Sequence, residues 1–432
     1  MQDTLLFFRS VFSHLGFQKY FKNTVWMFSS RILSMGISFL ATIYIARNLG
    51  PTSFGQLSYA LSFVGLFSFL ASLGVDGIVY RDLITTPEKR LTILGTGFYL
   101  RLWAGFITAF VISLCVFFVG DDDVSKILIF ILSSTFFISA FQVIVYDFQS
   151  RAEAKYISVI SVIVTAILNI LKIIVILSGE GVIYLSVVLL LESILYAALY
   201  LYIYHTKTKD AFSMWKFDRV YAKQMLRDSF PLIVMSAFAT IYARIDQVFI
   251  KHIMDASAVG IYDSAVRLSE LWTFIPGMII AAVYPAIINA KKVSEESYNR
   301  RLGYLAGFLV SLAILIALPI SFLAKNIIHI LYGAEFLGGV IVLKIYIWAS
   351  IGTFLGILIT QYLVTENLRR ILLFIAFVPM ACNVLLNLLW IPVYGIAGAA
   401  YATLISYSLT PICLLFFREP RKRVVSIYKS FF

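Results

Sequence analysis

Charge is scarce in this 432-residue chain. Asp, Glu, Lys and Arg make up 13% of it, about half the share of a soluble domain. That scarcity excludes a soluble enzyme, a disordered tail protein and a nucleic-acid binder with a basic face. Cysteine is down to Cys115, Cys382 and Cys413, all inside apolar runs. An odd, scattered set makes neither a disulfide framework nor a metal site. The four histidines, His14, His205, His252 and His329, form no H-E-x-x-H. There is no G-x-x-x-x-G-K-[ST], so the chain carries no ATP-hydrolysing loop of that type. Gly95-Thr-Gly97 has Leu100 where a third glycine belongs, which removes a dinucleotide loop. Asp121-Asp122-Asp123 reads as a solvated turn rather than a cation site. The first 22 residues lack the long apolar core of a cleavable signal. They alternate Leu5, Leu6, Phe8, Phe12, Leu15 and Phe17 with Arg9, His14, Lys19 and Lys22, the pattern of a helix lying in the membrane interface, with a frayed terminus as the alternative reading.

What the chain has in excess is apolar length, with 61% hydrophobic residues. A membrane helix needs roughly 20 mostly apolar residues. Twelve such runs are present, at 24–46, 56–75, 93–118, 126–146, 156–178, 182–204, 230–250, 264–288, 302–323, 340–364, 371–391 and 396–417. Runs such as Ile157 to Leu177 are continuously apolar, without the period-2 alternation of a barrel strand. The sequence therefore predicts an all-α polytopic membrane protein of twelve transmembrane helices. Taken with both termini, alternate loops carry 25 Lys and Arg, while the opposite loops carry Lys126, Lys251 and Lys325. Cations stay on the cytoplasmic side, so both termini are expected there.

The two halves resemble each other. The stretch from Ile45 to Ala60 aligns with Ile250 to Ala265 at an offset of 205, pairing Gly55 with Gly260. Leu168-Asn169 aligns with Leu386-Asn387 at an offset of 218. Two six-span halves entering from the same side make a parallel repeat, a transporter architecture. The expected organisation is a six-helix lobe over 1–204, a linker over 205–229, a second six-helix lobe over 230–417 and a basic tail over 418–432. The linker, with Phe212, Trp215 and Leu226 beside six cations, reads as surface-lying.

After the loops, seven cations remain. Arg47 and Lys344 sit near span ends and snorkel. Arg31, Arg101, Lys172, Arg244 and Arg267 are deeper. Facing lipid, five such charges would cost on the order of 10–20 kcal/mol, so they are expected to face water or acids. The acids within reach are Glu192, Asp246, Asp263 and Glu270. Asp263, Arg267 and Glu270, at i, i+4 and i+7, share one helix face. Arg244 and Asp246, two apart, point apart. Four acids against five cations leave a mildly cationic lumen, suited to an anionic substrate. Arg31, Arg101, Lys172, Arg244 and Arg267 are thus the candidate substrate contacts. Asp246, Asp263 and Glu270 are the candidates for gating or ion coupling. No catalytic or metal-ligating set is apparent. The bland alternative for each charge is glue between helices.

Three stretches carry a family resemblance. They are Ala46-Arg47-Asn48-Leu49-Gly50-Pro51 with Phe54-Gly55 and Tyr59-Ala60, Ala258-Val259-Gly260-Ile261-Tyr262-Asp263-Ser264-Ala265, and Leu386-Asn387 through Pro392-Val393-Tyr394-Gly395 to Ala399. They resemble the polysaccharide flippases of the Wzx type, within the multidrug/oligosaccharidyl-lipid/polysaccharide exporter superfamily. The resemblance covers nearly the whole chain. It implies two six-helix lobes in a V, a bacterial inner-membrane location, and no enzymatic activity. It implies alternating-access transfer of undecaprenyl-diphosphate-linked oligosaccharide units to the periplasmic leaflet, for O-antigen, capsule or a related glycan. The implied partners are that lipid-linked oligosaccharide, membrane lipids, and a polysaccharide polymerase and chain-length regulator. No cofactor is implied, and proton or sodium coupling is left open. The rival readings are a cation-coupled drug exporter of the same superfamily, which would favour acids over arginines, and a polytopic glycan polymerase or transferase, which would need a larger outer loop than 324–339.

Overall fold

The computed structural model describes residues 15–119, 122–208 and 210–417, and every regular element in them is an α- or 3-10 helix. The side chains of the expected interfacial segment, the basic tail 418–432, Asp121 and Lys209 lie outside the described residues.

Among the described residues, ten helices are long and apolar enough to cross a membrane, or eleven when the bent pair Gly339–Tyr346 and Ala349–Thr365 counts as one span. The first, Val25–Leu66, has 42 residues, roughly 63 Å of helix against a hydrocarbon core of roughly 30 Å. It is in fact two helices joined at Gly50, whose φ of 71° and ψ of 172° are non-helical. The Gly-Pro pair explains the joint. Glycine takes the positive φ that ends a helix, and Pro51 opens the next one at a position where its missing N–H costs nothing. With that division the described residues are consistent with the twelve segments expected from the sequence.

The chain clusters into two compact units. The first is Met1–Leu49 with Phe63–Ala237, and the second is Gly50–Ser62 with Phe238–Phe432. The short helix after the Gly50 joint thus contributes to the second unit.

In the first unit the core gathers Val75, Val79, Leu94, Phe98, Val143, Phe148 and Tyr204. The linker joins that core. Helix Val182–Thr208 runs on past its apolar stretch, and helix Arg219–Ile253 begins soon after. Between them Trp215 is buried, donating from Nε1 to Tyr204 Oη at 2.9 Å. The Lys216 amide donates to the Leu91 carbonyl (3.2 Å), and the Asp218 amide to Thr96 Oγ1 (3.1 Å). Arg90 grips Asp147 through two nitrogens, at 2.5 and 2.8 Å, and Asp210 through a third at 2.6 Å. The surface-lying reading of the linker is therefore corrected at Trp215, although Phe212 and Leu226 are exposed. A tryptophan among cations signals an interface, but here its ring finds an apolar slot and its N–H a buried acceptor.

In the second unit two helices cross where the internal repeat meets itself. A methyl group on Gly55 would land on the Ala256 carbonyl and 2.8 Å from the Gly260 nitrogen. One on Gly260 would land on the Pro51 carbonyl and 3.0 Å from the Gly55 nitrogen. Glycine at both positions is what lets the backbones approach, as small residues do throughout membrane bundles. Ser58 and Asp263, also 205 apart, hydrogen-bond at 2.7 Å. Elsewhere Gly352 packs on the Tyr407 backbone and Gly398 on that of Trp390.

Candidate functional site

In the second unit, helices Arg219–Ile253 and Ala256–Glu270 place three acids in three different settings. Asp263 accepts from Ser58 Oγ (2.7 Å), Gln247 Nε2 (3.0 Å) and Arg267 Nε (2.6 Å). Arg267 also lies over the Phe54 ring, 5.6 Å from its centroid. Asp263 and Arg267 do share a face, and their charges cancel locally. Glu270 accepts from Tyr346 Oη at 3.3 Å, and Arg244 and Arg267 are both within electrostatic reach of it.

Asp246 is different. It is buried and forms no ion pair among the described residues, accepting instead from Tyr262 Oη (2.7 Å), Thr403 Oγ1 (2.7 Å) and Asn387 Nδ2 (2.8 Å). Asn383 donates to Thr403 at 3.4 Å. The side-chain oxygens of Asn383 and Asn387 are buried without a donor among the described residues. Arg244 is exposed while Asp246 is buried, so the two do point apart.

In the first unit Arg101 is buried, with Nη1 on Asp76 and Nη2 on Gln142 Oε1 at 2.9 Å. Lys172 donates to Glu192 at 2.7 Å. Arg31 is exposed and lines a cavity of about 480 Å³.

The balance of acids and cations expected from the sequence therefore needs one correction, because Asp76 belongs among the acids and neutralises Arg101. Of the five deep cations, Arg101, Lys172 and Arg267 sit on carboxylates. Arg31 and Arg244 have no ion-pair partner within 4.0 Å among the described residues. Asp76 escapes a reading of the sequence because it falls just past the end of the run 56–75, whereas it opens helix Asp76–Thr85. Asn383, Thr403 and Gln247 give no signal in a single sequence, and Ser58 appears there only as the repeat counterpart of Asp263. Asn387 stands in the repeat alignment, yet its partner is 141 residues away.

Lys172 pairs with Glu192 although its repeat counterpart is Trp390. Lys172→Ala leaves a largely buried carboxylate alone and should cost about 3 kcal/mol. Removing both charges in Lys172→Met/Glu192→Leu should recover most of that. Melting of the purified protein in detergent reads both. An equal loss in the single and the double variant would show that the pair is not the unit of stabilisation.

Residues 20–291 match the family described as polysaccharide biosynthesis protein. The capsular polysaccharide biosynthesis protein CapF of Staphylococcus aureus is 20% identical over 406 residues, 92% of this chain and 98% of that one. The probable low-salt glycan biosynthesis flippase Agl15 of Haloferax volcanii is 22% identical over 411 residues, 90% of this chain and 82% of that one. Among solved structures, an inward-facing multidrug resistance MATE family transporter of the MOP superfamily superposes with a TM-score of 0.75 at 15% identity. It covers 91% of this chain and 96% of its own. The lipid II flippase MurJ, in an inward closed conformation, superposes with a TM-score of 0.72 at 17% identity, over 95% and 91% of the two chains. These likenesses establish the fold.

Proposed function

The chain belongs to the polysaccharide biosynthesis protein family, and from that premise we propose that it is a flippase for lipid-linked oligosaccharides. It transfers undecaprenyl-diphosphate-linked repeat units from the cytoplasmic to the periplasmic leaflet for O-antigen, capsule or a related glycan. The observation that carries this reading is the pair of deep arginines, Arg31 and Arg244, which form no ion pair within 4.0 Å among the described residues while the other deep cations sit on carboxylates. A diphosphate cannot enter hydrocarbon unaided, and the guanidinium fork matches its oxygens. A drug exporter for cations would have little use for two unpaired arginines. The protein acts as a transporter and not as an enzyme, in the bacterial inner membrane, with both termini cytoplasmic. A polymerase and a chain-length regulator would act on what it delivers.

The Asp246 cradle supports coupling to a small cation. Its donors are one carboxylate and the neutral oxygens of Asn383, Asn387 and Thr403, hard ligands of the kind that hold Na⁺ in transporters. The two amide oxygens without donors fit that use. A proton on Asp246 is the competing coupling species. Asp263 and Glu270, each held by a hydroxyl group and facing an arginine, serve gating.

Deletion should leave synthesis of lipid-linked units running while they accumulate in the cytoplasmic leaflet. Single units piling up on the periplasmic side would identify a polymerase instead. Reporter fusions after residues 180 and 332 should read as periplasmic, and those after 218 and 425 as cytoplasmic. A periplasmic signal at 218 would break the two-halves organisation.

A further inference from the structure

The cavity at Arg31 lies wholly within the first unit. Helix Leu15–Leu66 supplies Ser30, Arg31, Ser34 and Ser38, and helix Ala154–Leu177 supplies Ser158 and Ser161. Gln149 and Tyr200 complete its polar wall. Its volume, about 480 Å³, is within the range of small-molecule sites. No acid lines it among the described residues. The wall holds unspent hydrogen-bonding capacity. The Gln149 carboxamide and the Ser158 hydroxyl group make no hydrogen bond to protein among the described residues. Ser34 and Ser161 meet only at 3.5 Å. A hydroxyl group both donates and accepts, so a wall of serines suits a ligand that is itself made of hydroxyl groups. One guanidinium without a counter-ion adds a demand for negative charge.

We propose that this cavity is a capture site for an anion-bearing, hydroxylated sugar ring, with Arg31 on the anion and the serines and Gln149 on the ring. On the orientation given by the loop cations, Gln149 and the start of helix Ala154–Leu177 lie at the cytoplasmic end, the side on which lipid-linked sugars are assembled. The site thus selects the head of the substrate before transfer, and in that sense it rests on the flippase reading. The anion has two sources, the phosphate at the reducing end of the sugar or the carboxylate of an acidic sugar.

Binding of defined probes to the full-length protein in lipid nanodiscs tests the site without any transport step, so it stands or fails separately from the deletion experiment. The probes are glucose 1-phosphate, glucuronate, glucose and inorganic phosphate. At least one of the first two should bind, roughly 10- to 100-fold more tightly than glucose, the range expected for a charge-assisted contact. Glucose 1-phosphate alone assigns the anion to the phosphate, and glucuronate alone assigns it to an acidic sugar. Arg31→Gln should erase the advantage over glucose. Ser34→Ala/Ser158→Ala, which keeps the helices and enlarges the cavity slightly, should weaken the sugar anions toward inorganic phosphate. Monodisperse variants with unchanged melting keep that comparison valid. Binding that ignores Arg31→Gln, equal binding of inorganic phosphate and the sugar anions, or no binding of either anion would each overturn the proposal.

Discussion

Gly55→Leu and Gly260→Leu should each abolish recovery of folded protein from the membrane, and even Gly55→Ala should lower its stability by about 3 kcal/mol, the upper end of ordinary overpacking. The reason is the kind of atom that a new side chain would meet. At both positions it is backbone, the Ala256 carbonyl or the Pro51 carbonyl. A flexible side chain could swing aside, but a carbonyl fixed in a helix cannot. Gly277→Ala provides the contrast, since nothing lies within 4 Å of a methyl group there. Removing glycine from a helix interior at an open position typically stabilises by about 0.4–1 kcal/mol. Melting in detergent should therefore fall for Gly55→Ala and rise slightly for Gly277→Ala. Shifts of the same sign would show that the crossing is looser than its geometry.

The second large effect is expected at Asp246. Asp246→Leu strips the acceptor from Tyr262, Thr403 and Asn387 at once. Each orphaned donor costs about 1–3 kcal/mol, so the loss is of order 5 kcal/mol. Asp246→Asn keeps the shape and one oxygen but not the charge. It should remain folded and lose glycan export, because neither a cation nor a proton can be held there in the same way. Export and melting measured together separate the two roles. Normal export by Asp246→Asn would remove Asp246 from coupling.

The spans are legible in the sequence because hydrocarbon demands long apolar runs, and nothing in a soluble core imitates twelve of them. The joint at Gly50 is legible as a Gly-Pro pair between two such runs. Partners brought together by folding are not. Arg90 stands in a cytoplasmic loop by sequence, yet it clasps Asp147 and Asp210, 57 and 120 residues away. Asp76 hides just past the end of an apolar run, and leaving it out makes an excess of cations where five acids stand against five. The Asp263–Arg267 pair is readable because both ends sit on one helix at i and i+4. The Asp246 cradle is not, because its donors include neutral residues on helices Arg369–Tyr394 and Ile396–Cys413. Periodicity reports a face of a helix, and only tertiary structure reports what that face meets.

The crossing of Gly55 and Gly260 also bears on how far the two halves of the chain can diverge. Each residue there faces its own counterpart in the repeat, as in the isologous contact of a two-fold dimer. Complementary change is closed at such a point. Enlarging one side cannot be offset by shrinking the other, because glycine is already the smallest residue. Elsewhere the halves are free to specialise, as they have where Lys172 stands against Trp390. At residues 55 and 260 they are bound to stay alike, and the duplication keeps there a fixed point around which the rest of the sequence has drifted.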